Sequence, residues 1–100
     1  MTDELLVIAR YVALPGEEAT VRSLLVELAA ASRREEGNIS YEVTQDIMEP
    51  ERFVIVEVYT DDAAFAAHRE SEHFQHVGFG QIIPRLASRV VQKISGAARV

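Results

Sequence analysis

The sequence predicts an α+β fold of the ferredoxin-like type, in which a four-stranded antiparallel sheet carries helices on one face. The order of its predicted elements is β-α-β-β-α-β, which for a short chain is typical of that arrangement. The length of 100 residues suits one domain spanning 1–100, large enough for a real core. No repeat, linker or low-complexity tract divides the chain, so we expect a single unit.

The first half of the pattern is a strand followed by a helix. Residues 4–14 are rich in β-formers and stop at the turn pair Pro15-Gly16. A helix is predicted over about 17–35, because apolar residues recur there at helical spacing. Gly37 is well placed to end it. That apolar stripe consists of Val21, Leu24, Leu25 and Leu28.

The second half adds a hairpin, two helical stretches and a last strand. The segment NISYEVTQDI alternates apolar and polar residues, and MEPE after it is typical of a hairpin turn. Asp61 or Asp62 is placed to cap a short helix. The predicted elements are a strand over 38–47, a strand over 52–60, a helix over 61–71, a helical stretch over 72–86 and a strand over 88–95.

The first and third strands are apolar on both faces. Helices can cover one face of the sheet only, so the other would expose a larger apolar patch than a soluble monomer usually carries. We therefore expect a homodimer packed face to face. The second apolar faces consist of Leu6, Ile8 and Val12 on the first strand and Val54, Val56 and Val58 on the third.

Composition excludes several classes of function. Ten basic and sixteen acidic residues give a net charge of −6, with no basic block, so we expect binding neither to nucleic acid nor to a membrane. The absence of cysteine excludes disulfides, thiolate metal sites and a cysteine nucleophile. The start of the chain lacks a signal-peptide pattern, and no run is long enough to span a bilayer. We expect a cytoplasmic protein.

All three histidines lie in one nine-residue window, HRESEHFQH, at 68–76. Histidine titrates near neutral pH, so proton-transfer chemistry is expected there. His68 follows Phe65 by three positions, which puts both side chains on one face of the short helix, towards the sheet. His68 is therefore either a general base or a hydrogen-bonded core histidine. His76 is expected to face solvent.

A carboxylate on the neighbouring strand is the second candidate. Glu57 lies on an otherwise apolar strand face, where it needs a partner or a raised pKa. It either assists His68 or forms a structural pair. The other candidates are substrate-binding residues, for each of which core packing or a local cap is the alternative: Asn38, Tyr59, Phe53, Phe65, His73 and Phe74.

Metal binding is a weaker interpretation of the histidine window. His73 and His76 share a helical face, with Glu70 and Glu72 nearby. Their spacing fits no strong ligand signature, and we therefore expect no bound metal.

These residues, in this order, resemble the antibiotic biosynthesis monooxygenase (ABM) domain family. The likeness covers nearly the whole chain through VIARYVALPGEEATVRSLL, EEGNISYEV, RFVIVEVYTD and AFAAHRESEHF. The resemblance implies ferredoxin-fold homodimers whose sheets form a shared barrel. It also implies one of several activities. Some members oxidise quinols or phenols with O2 and no cofactor, others isomerise the phosphorylated autoinducer-2 sugar, and a third branch degrades haem.

The leading hypothesis is a cofactor-independent oxygenase for a small quinol-like or phenolic substrate, with His68 as base and Glu57 as its orienting carboxylate. An isomerase is the alternative, and its phosphorylated substrate would need a cation such as Arg10 or Arg69. A non-catalytic small-ligand-binding dimer is the third hypothesis. The haem branch is disfavoured, because the positions comparable to its functional residues are Ala9, His68 and Gly78 and the chain has no tryptophan.

Overall fold

The computed structural model describes residues 3–96. Its sheet contains four strands, and the two helices and a π-helical segment connect them. The elements are β1 (Leu5–Ala13), α1 (Glu18–Ser32), β2 (Asn38–Gln45), β3 (Arg52–Tyr59), α2 (Asp62–Glu70), a π-helix (Phe74–Ile82), a 3-10 turn (Ile83–Arg85) and β4 (Leu86–Ser95). Within this part of the chain, no helix has the length and apolar character needed to cross a membrane.

The four strands form one antiparallel sheet in the order β2-β3-β1-β4. The central strand β1 pairs with β3 so that Val7 lies opposite Glu57, and β2 places Tyr41 on the other side of Glu57. The predicted ferredoxin-like α+β fold is thereby confirmed. Register fixes the side-chain direction, because neighbouring residues of a strand point to opposite faces.

Helix α1 packs its apolar stripe on the covered face of the sheet. Val21, Leu25 and Leu28 are fully buried there, and they belong to one cluster with Tyr11 and Ile55 from the two central strands. Leu24 packs against that cluster while partly buried. The predicted stripe is therefore the real contact surface of the helix, as expected for an amphipathic helix on a sheet.

A second, smaller cluster lies at the other end of the sheet. It consists of Leu5, Val7, Tyr59 and Phe65, with Ala64 packed against it. The turn at Gly37 comes close to α2 here. Thr60, two residues before the start of α2, donates its amide to the Gly37 carbonyl at 2.9 Å. A Cβ on Gly37 would lie under 3.0 Å from the Cβ of Ala64, so only glycine permits this approach. The α1–β2 turn and α2 thus meet at one edge.

The opposite face of the sheet is open. Val54 and Val56 on β3 and Ile8 on β1 are only partly buried, and Val90 and Ile94 on β4 are exposed. The prediction of strands apolar on both faces is confirmed.

The stretch predicted as a helix over 72–86 has unusual geometry. It is a π-helix over Phe74–Ile82 followed by a 3-10 turn, rather than a regular α-helix. Two glycines, Gly78 and Gly80, lie inside it. A Cβ on Gly78 would meet the Phe74 ring at 2.9 Å, so this glycine makes room for the ring. π-Helical turns occur frequently at functional sites.

Candidate active site

Helix α2 presents His68 to the covered face of the sheet. Its N-terminus is capped by Asp61, whose Oδ1 accepts from the Ala64 amide at 2.8 Å. Phe65 and His68 are the buried residues of this helix, so the predicted common face is confirmed. His68 is only 2% exposed. A histidine this deeply buried needs hydrogen-bond partners for its ring nitrogens.

One carboxylate contacts two of the three histidines. Oε2 of Glu35 lies 2.7 Å from Nδ1 of His68 and 2.5 Å from Nε2 of His73. Glu35 belongs to the turn after α1, and His73 directly precedes the π-helix. When the carboxylate accepts from both rings, the proton of neutral His68 is on Nδ1. Its Nε2 then carries the free lone pair.

The second carboxylate lies on the opposite side of the ring. Oε1 of Glu57 is 3.8 Å from Nε2 of His68 and accepts the Tyr59 hydroxyl at 2.6 Å. Glu57 and Tyr59 are 5% and 0% exposed. The ring of His68 is thus held between two carboxylates of different character. Glu35 contacts Nδ1 at hydrogen-bond distance, whereas Glu57 faces Nε2 from farther away.

Burial shifts the proton affinities of these groups. Removal from water raises the pKa of Glu57 to about 7, against the opposing effects of the Tyr59 hydrogen bond and the Arg89 charge. Burial also lowers the pKa of His68, although the Glu35 hydrogen bond partly counteracts this. The pKa of Tyr59 is raised far above its usual range by burial and by Glu57, so its hydroxyl keeps the proton.

A small cavity of about 20 Å³ lies between α2, the π-helix and the sheet, on the Nε2 side of His68. That volume is about the space of one water molecule. A molecule larger than water could enter it only if wall side chains were displaced. The cavity is lined by Val7, Ala9, Tyr11, Tyr41, Glu57, Phe65, His68, Arg69, Phe74, Arg89 and Val91.

Aromatic rings surround His68 on several sides. The ring centroids of Phe74, Tyr59 and Tyr41 lie 5.1, 5.5 and 5.8 Å from that of His68. Phe65 stacks on it at 6.2 Å with an interplanar angle of 18°. These distances fall in the range of favourable aromatic contacts. The arrangement limits the access of water to Nε2.

Three cations surround the outer edge of this cavity. The Arg69 guanidinium and the Lys93 ammonium lie 6.0 and 5.5 Å from the Phe65 ring centroid, and the Arg89 guanidinium lies 6.0 Å from that of Tyr11. None of the three forms an ion pair with a carboxylate within residues 3–96. Positive charge is therefore concentrated here on a chain of net charge −6.

The structure brings together most of the predicted site residues. Phe65 and Phe74 line the cavity with His68 and Glu57, and Tyr59 contacts both His68 and Glu57. His73 contributes through Glu35 rather than by lining the cavity. His76 is exposed, as expected.

Three of the candidate residues make their contacts away from this cavity. Phe53 lies four residues along β3 from Glu57, roughly 13 Å away at strand spacing, and packs in the α1 core. Asn38 uses its side-chain amide to donate to the backbone carbonyls of Ser40 and Val58, at 3.0 and 3.4 Å. Arg10 lies on the open face and donates to Oε1 of Gln92. None of these three lines the cavity, because strand position or local bonding directs them elsewhere.

Several residues of the site were not predicted from the sequence, namely Arg89 and Lys93 on β4 together with Tyr41 and Glu35. Tyr41 was assigned only to a strand face, and Glu35 was treated only as part of the EEGN segment. A signal for Glu35 existed. β2 and β3 form an antiparallel hairpin, so the start of β2 lies beside the end of β3. The turn before β2, at 35–37, must therefore lie next to the turn that leads from β3 into α2.

The fold and site define a class of small ferredoxin-like proteins with a buried histidine between two carboxylates. Residues 5–77 match the family described as Antibiotic biosynthesis monooxygenase. The chain therefore belongs to the antibiotic biosynthesis monooxygenase family, in agreement with the resemblance seen in its motifs.

Relatives within this family carry two kinds of name. YcnE of Bacillus subtilis, named as a monooxygenase, is 33% identical over 72 residues, which cover 71% of this chain and 76% of YcnE. An isomerase of Yersinia enterocolitica, named for (4S)-4-hydroxy-5-phosphonooxypentane-2,3-dione, is 48% identical over 40 residues. That match covers 40% of this chain, and it spans less than half of the isomerase, at 42%.

Solved structures share the fold over nearly the whole chain. A protein of Pseudomonas aeruginosa superposes with a TM-score of 0.87 at 30% identity, covering 98% of both chains. A protein of Shewanella oneidensis gives the same TM-score at 29% identity, covering 95% of this chain and 92% of its own.

Proposed function

We propose that this protein is a cofactor-independent monooxygenase that oxidises a small quinol-like or phenolic substrate with O2. The observation that carries the proposal is the orientation of His68. Its Nδ1 is held by Glu35 at 2.7 Å, which leaves Nε2 facing the aromatic cavity with an available lone pair. A base oriented by a carboxylate is the arrangement that general-base catalysis requires.

The reaction begins with removal of the phenolic proton by Nε2 of His68. The resulting phenolate is electron-rich and gives electrons to O2 directly. One oxygen atom enters the ring and the other leaves as water, so that a phenol and O2 give a quinone and water. No external reductant is needed for that balance.

Glu35 and Glu57 have different roles in this mechanism. Glu35 fixes the tautomer of His68 and stabilises the imidazolium that forms after proton removal. Glu57, whose pKa is raised to about 7 by burial, is able to hold or release a proton beside the reacting oxygen. Tyr59 holds Glu57 in place through its hydroxyl. The role of orienting carboxylate, first expected of Glu57, therefore passes to Glu35.

The test is O2 consumption and product analysis with a panel of quinols and phenols. His68→Ala is expected to lower turnover by a factor of about 10² to 10⁴, the usual contribution of a general base. His76→Ala is the matched control, since His76 is exposed and outside the cluster. Turnover unchanged in His68→Ala would rule out this base.

Isomerisation of a small phosphorylated ketone is the second candidate, favoured by the cations at the cavity edge. Arg69, Arg89 and Lys93 are placed to hold a phosphate while His68 moves a proton next to the carbonyl. The Yersinia enterocolitica relative carries the name of such an isomerase. Oxygen separates the two candidates, because an isomerase turns over anaerobically and the oxygenase does not.

We also propose that a second copy of the chain covers the open face of the sheet. Partly buried apolar side chains such as Ile8, Val54 and Val56 lie on this face of β1 and β3, and β4 adds Val90 and Ile94, which are 54% and 43% exposed. Such a surface is larger than a soluble monomer usually leaves uncovered. Two identical sheets packed face to face would bury both surfaces in one symmetric interface.

A further inference from the structure

Two imidazoles and one carboxylate converge from three separate segments beside the proposed base. They belong to Glu35 in the turn after α1, to His68 in α2 and to His73 before the π-helix. A carboxylate oxygen, Nδ1 of His68 and Nε2 of His73 all lie within 4.8 Å of one another. Nitrogen and oxygen donors in this combination suit zinc and related divalent transition metals.

The carboxylate of Glu35 has an unused oxygen. Oε2 contacts both histidines, whereas Oε1 is buried and has no hydrogen-bond partner within the part of the chain that the structure describes. A buried acceptor without a partner destabilises the fold. A cation held by this carboxylate would satisfy that oxygen.

The surroundings of His68 also match those of a metal-binding histidine. Such a histidine usually donates its second ring N–H to a carboxylate, which orients the ring. Nε2 of His68 faces Oε1 of Glu57 at 3.8 Å, on the side away from Glu35. Glu57 is therefore placed to support His68 when Nδ1 binds an ion.

An ion has a route to this cluster from outside. An open groove of about 640 Å³ runs along α2 and reaches both Glu35 and His68. The present contacts of 2.7 and 2.5 Å are shorter than the separation of ligands around a tetrahedral zinc ion, roughly 3.3 Å for bonds of about 2.0 Å. The Glu35 carboxylate must therefore move away from the two rings by roughly half an ångström or more. Its position in a turn, outside the regular part of α1, permits that movement.

We propose that Glu35, His68 and His73 bind a divalent transition-metal ion such as Zn²⁺, and that the bound ion disables His68 as a base. A neutral imidazole carries one ring proton. With the metal on Nδ1 of His68 that proton is on Nε2, where the lone pair for catalysis would otherwise be. Metal binding and proton abstraction are then mutually exclusive. The metal site itself does not depend on the proposed oxygenase activity.

The test is metal titration of protein freed of metal by a chelator. Calorimetry measures Zn²⁺ affinity, and visible absorption of Co²⁺ reports a tetrahedral site with nitrogen ligands. We expect one ion per chain. Glu35→Gln keeps the size of the side chain and an acceptor for both rings, and it is expected to weaken binding at least about tenfold, as is His73→Ala. His76→Ala, on the same segment but outside the cluster, should bind as the wild type does.

The outcomes separate the metal site from the proposed activity. Circular dichroism and thermal unfolding first establish that each variant is folded. Absence of the Co²⁺ absorption, or equal Zn²⁺ affinity in wild type and the two cluster variants, would overturn the site. Zn²⁺ binding that depends on Glu35 and His73 supports it even if no quinol is oxidised. If a quinol is oxidised, Zn²⁺ should inhibit the wild type reversibly, and turnover that persists with the site saturated contradicts the proposed effect on His68.

Discussion

The two faces of the sheet differ in which side chains are unfavourably placed. The covered face buries ionisable groups, Glu57 and His68, which are costly to remove from water. The open face leaves apolar side chains such as Val90 and Ile94 in contact with solvent. Both faces belong to the same strands, so the difference comes from what packs on them and not from the backbone.

On the covered face, hydrogen-bond partners make the burial possible. α2 supplies His68, the turn after α1 supplies Glu35, and Tyr59 donates to Glu57 from two residues along the same strand. The open face has no such partners within residues 3–96. Arg10 is its only charged residue on β1, and it bonds to the neighbouring Gln92. Buried ionisable groups thus lie where helices bring partners, and partly exposed apolar groups remain where another surface is still required.

The largest expected effect comes from placing a charge on the open face. Val56→Asp puts a carboxylate in the middle of β3 on that face, and a dimer formed there would bury it unpaired. We expect the dimer to dissociate at least about a hundredfold more readily, a loss of roughly 3 kcal/mol or more. Light scattering after size-exclusion chromatography measures the change in mass.

Val26→Asp is the matched control for that experiment. Val26 lies on α1 and is 64% exposed, so the same substitution there should leave the mass unchanged. A wild-type protein that is already monomeric at micromolar concentration would contradict the proposed interface.

The second prediction concerns the cost of burying Glu57. The pKa of the Glu57 carboxyl is about 7 in the folded protein, against 4.5 for a glutamate in water, which stands for the unfolded chain. The folded state therefore keeps a proton that the unfolded state has lost, and stability declines as the pH rises from about 4.5 to 7. The decline amounts to about 3 kcal/mol at most, from 1.36 kcal/mol per pKa unit. Glu57→Gln stays neutral and should lack this contribution.

Urea unfolding at pH 5 and pH 8, with EDTA present, measures the difference. Wild type should lose more stability than Glu57→Gln between the two pH values, while titration of His68 affects both proteins. Glu27→Gln, an exposed change on α1, serves as the control and should behave as wild type does. An equal decline in wild type and Glu57→Gln would show that Glu57 does not titrate in this range.

The comparison of the two faces also shows how much the sequence could predict. Apolar residues at successive positions of β1 and β3 predicted that both faces are apolar, and the helical spacing of Phe65 and His68 placed His68 on the covered face. These are local patterns with periods of two and about three and a half residues. The ferredoxin-like fold followed from the order of the elements.

The features that the sequence did not predict depend on distances between elements. Glu35 belongs to a turn, and its contact with His68 requires knowledge of how that turn meets α2. Phe53 has the predicted face, but its position along the strand takes it into the α1 core, because periodicity gives direction and not location. The π-helix looks helical in sequence, since its wider hydrogen-bonding pattern has no separate periodic signature.

The smallest expected effect tests the packing of the covered face at the π-helix. Gly78→Ala would bring a Cβ within 2.9 Å of the Phe74 ring, which contacts His68. The ring must shift, and we expect a loss of stability of about 1 kcal/mol, because overpacking outweighs the usual gain of alanine over glycine in a helix. Gly80→Ala is the matched control, since its Cβ would meet only the Gln75 carbonyl at 3.3 Å. Chemical denaturation measures the free energy of unfolding of both variants. Equal stability of the two would contradict the expected clash, because it would mean that the Phe74 ring has free space to move away from the new Cβ.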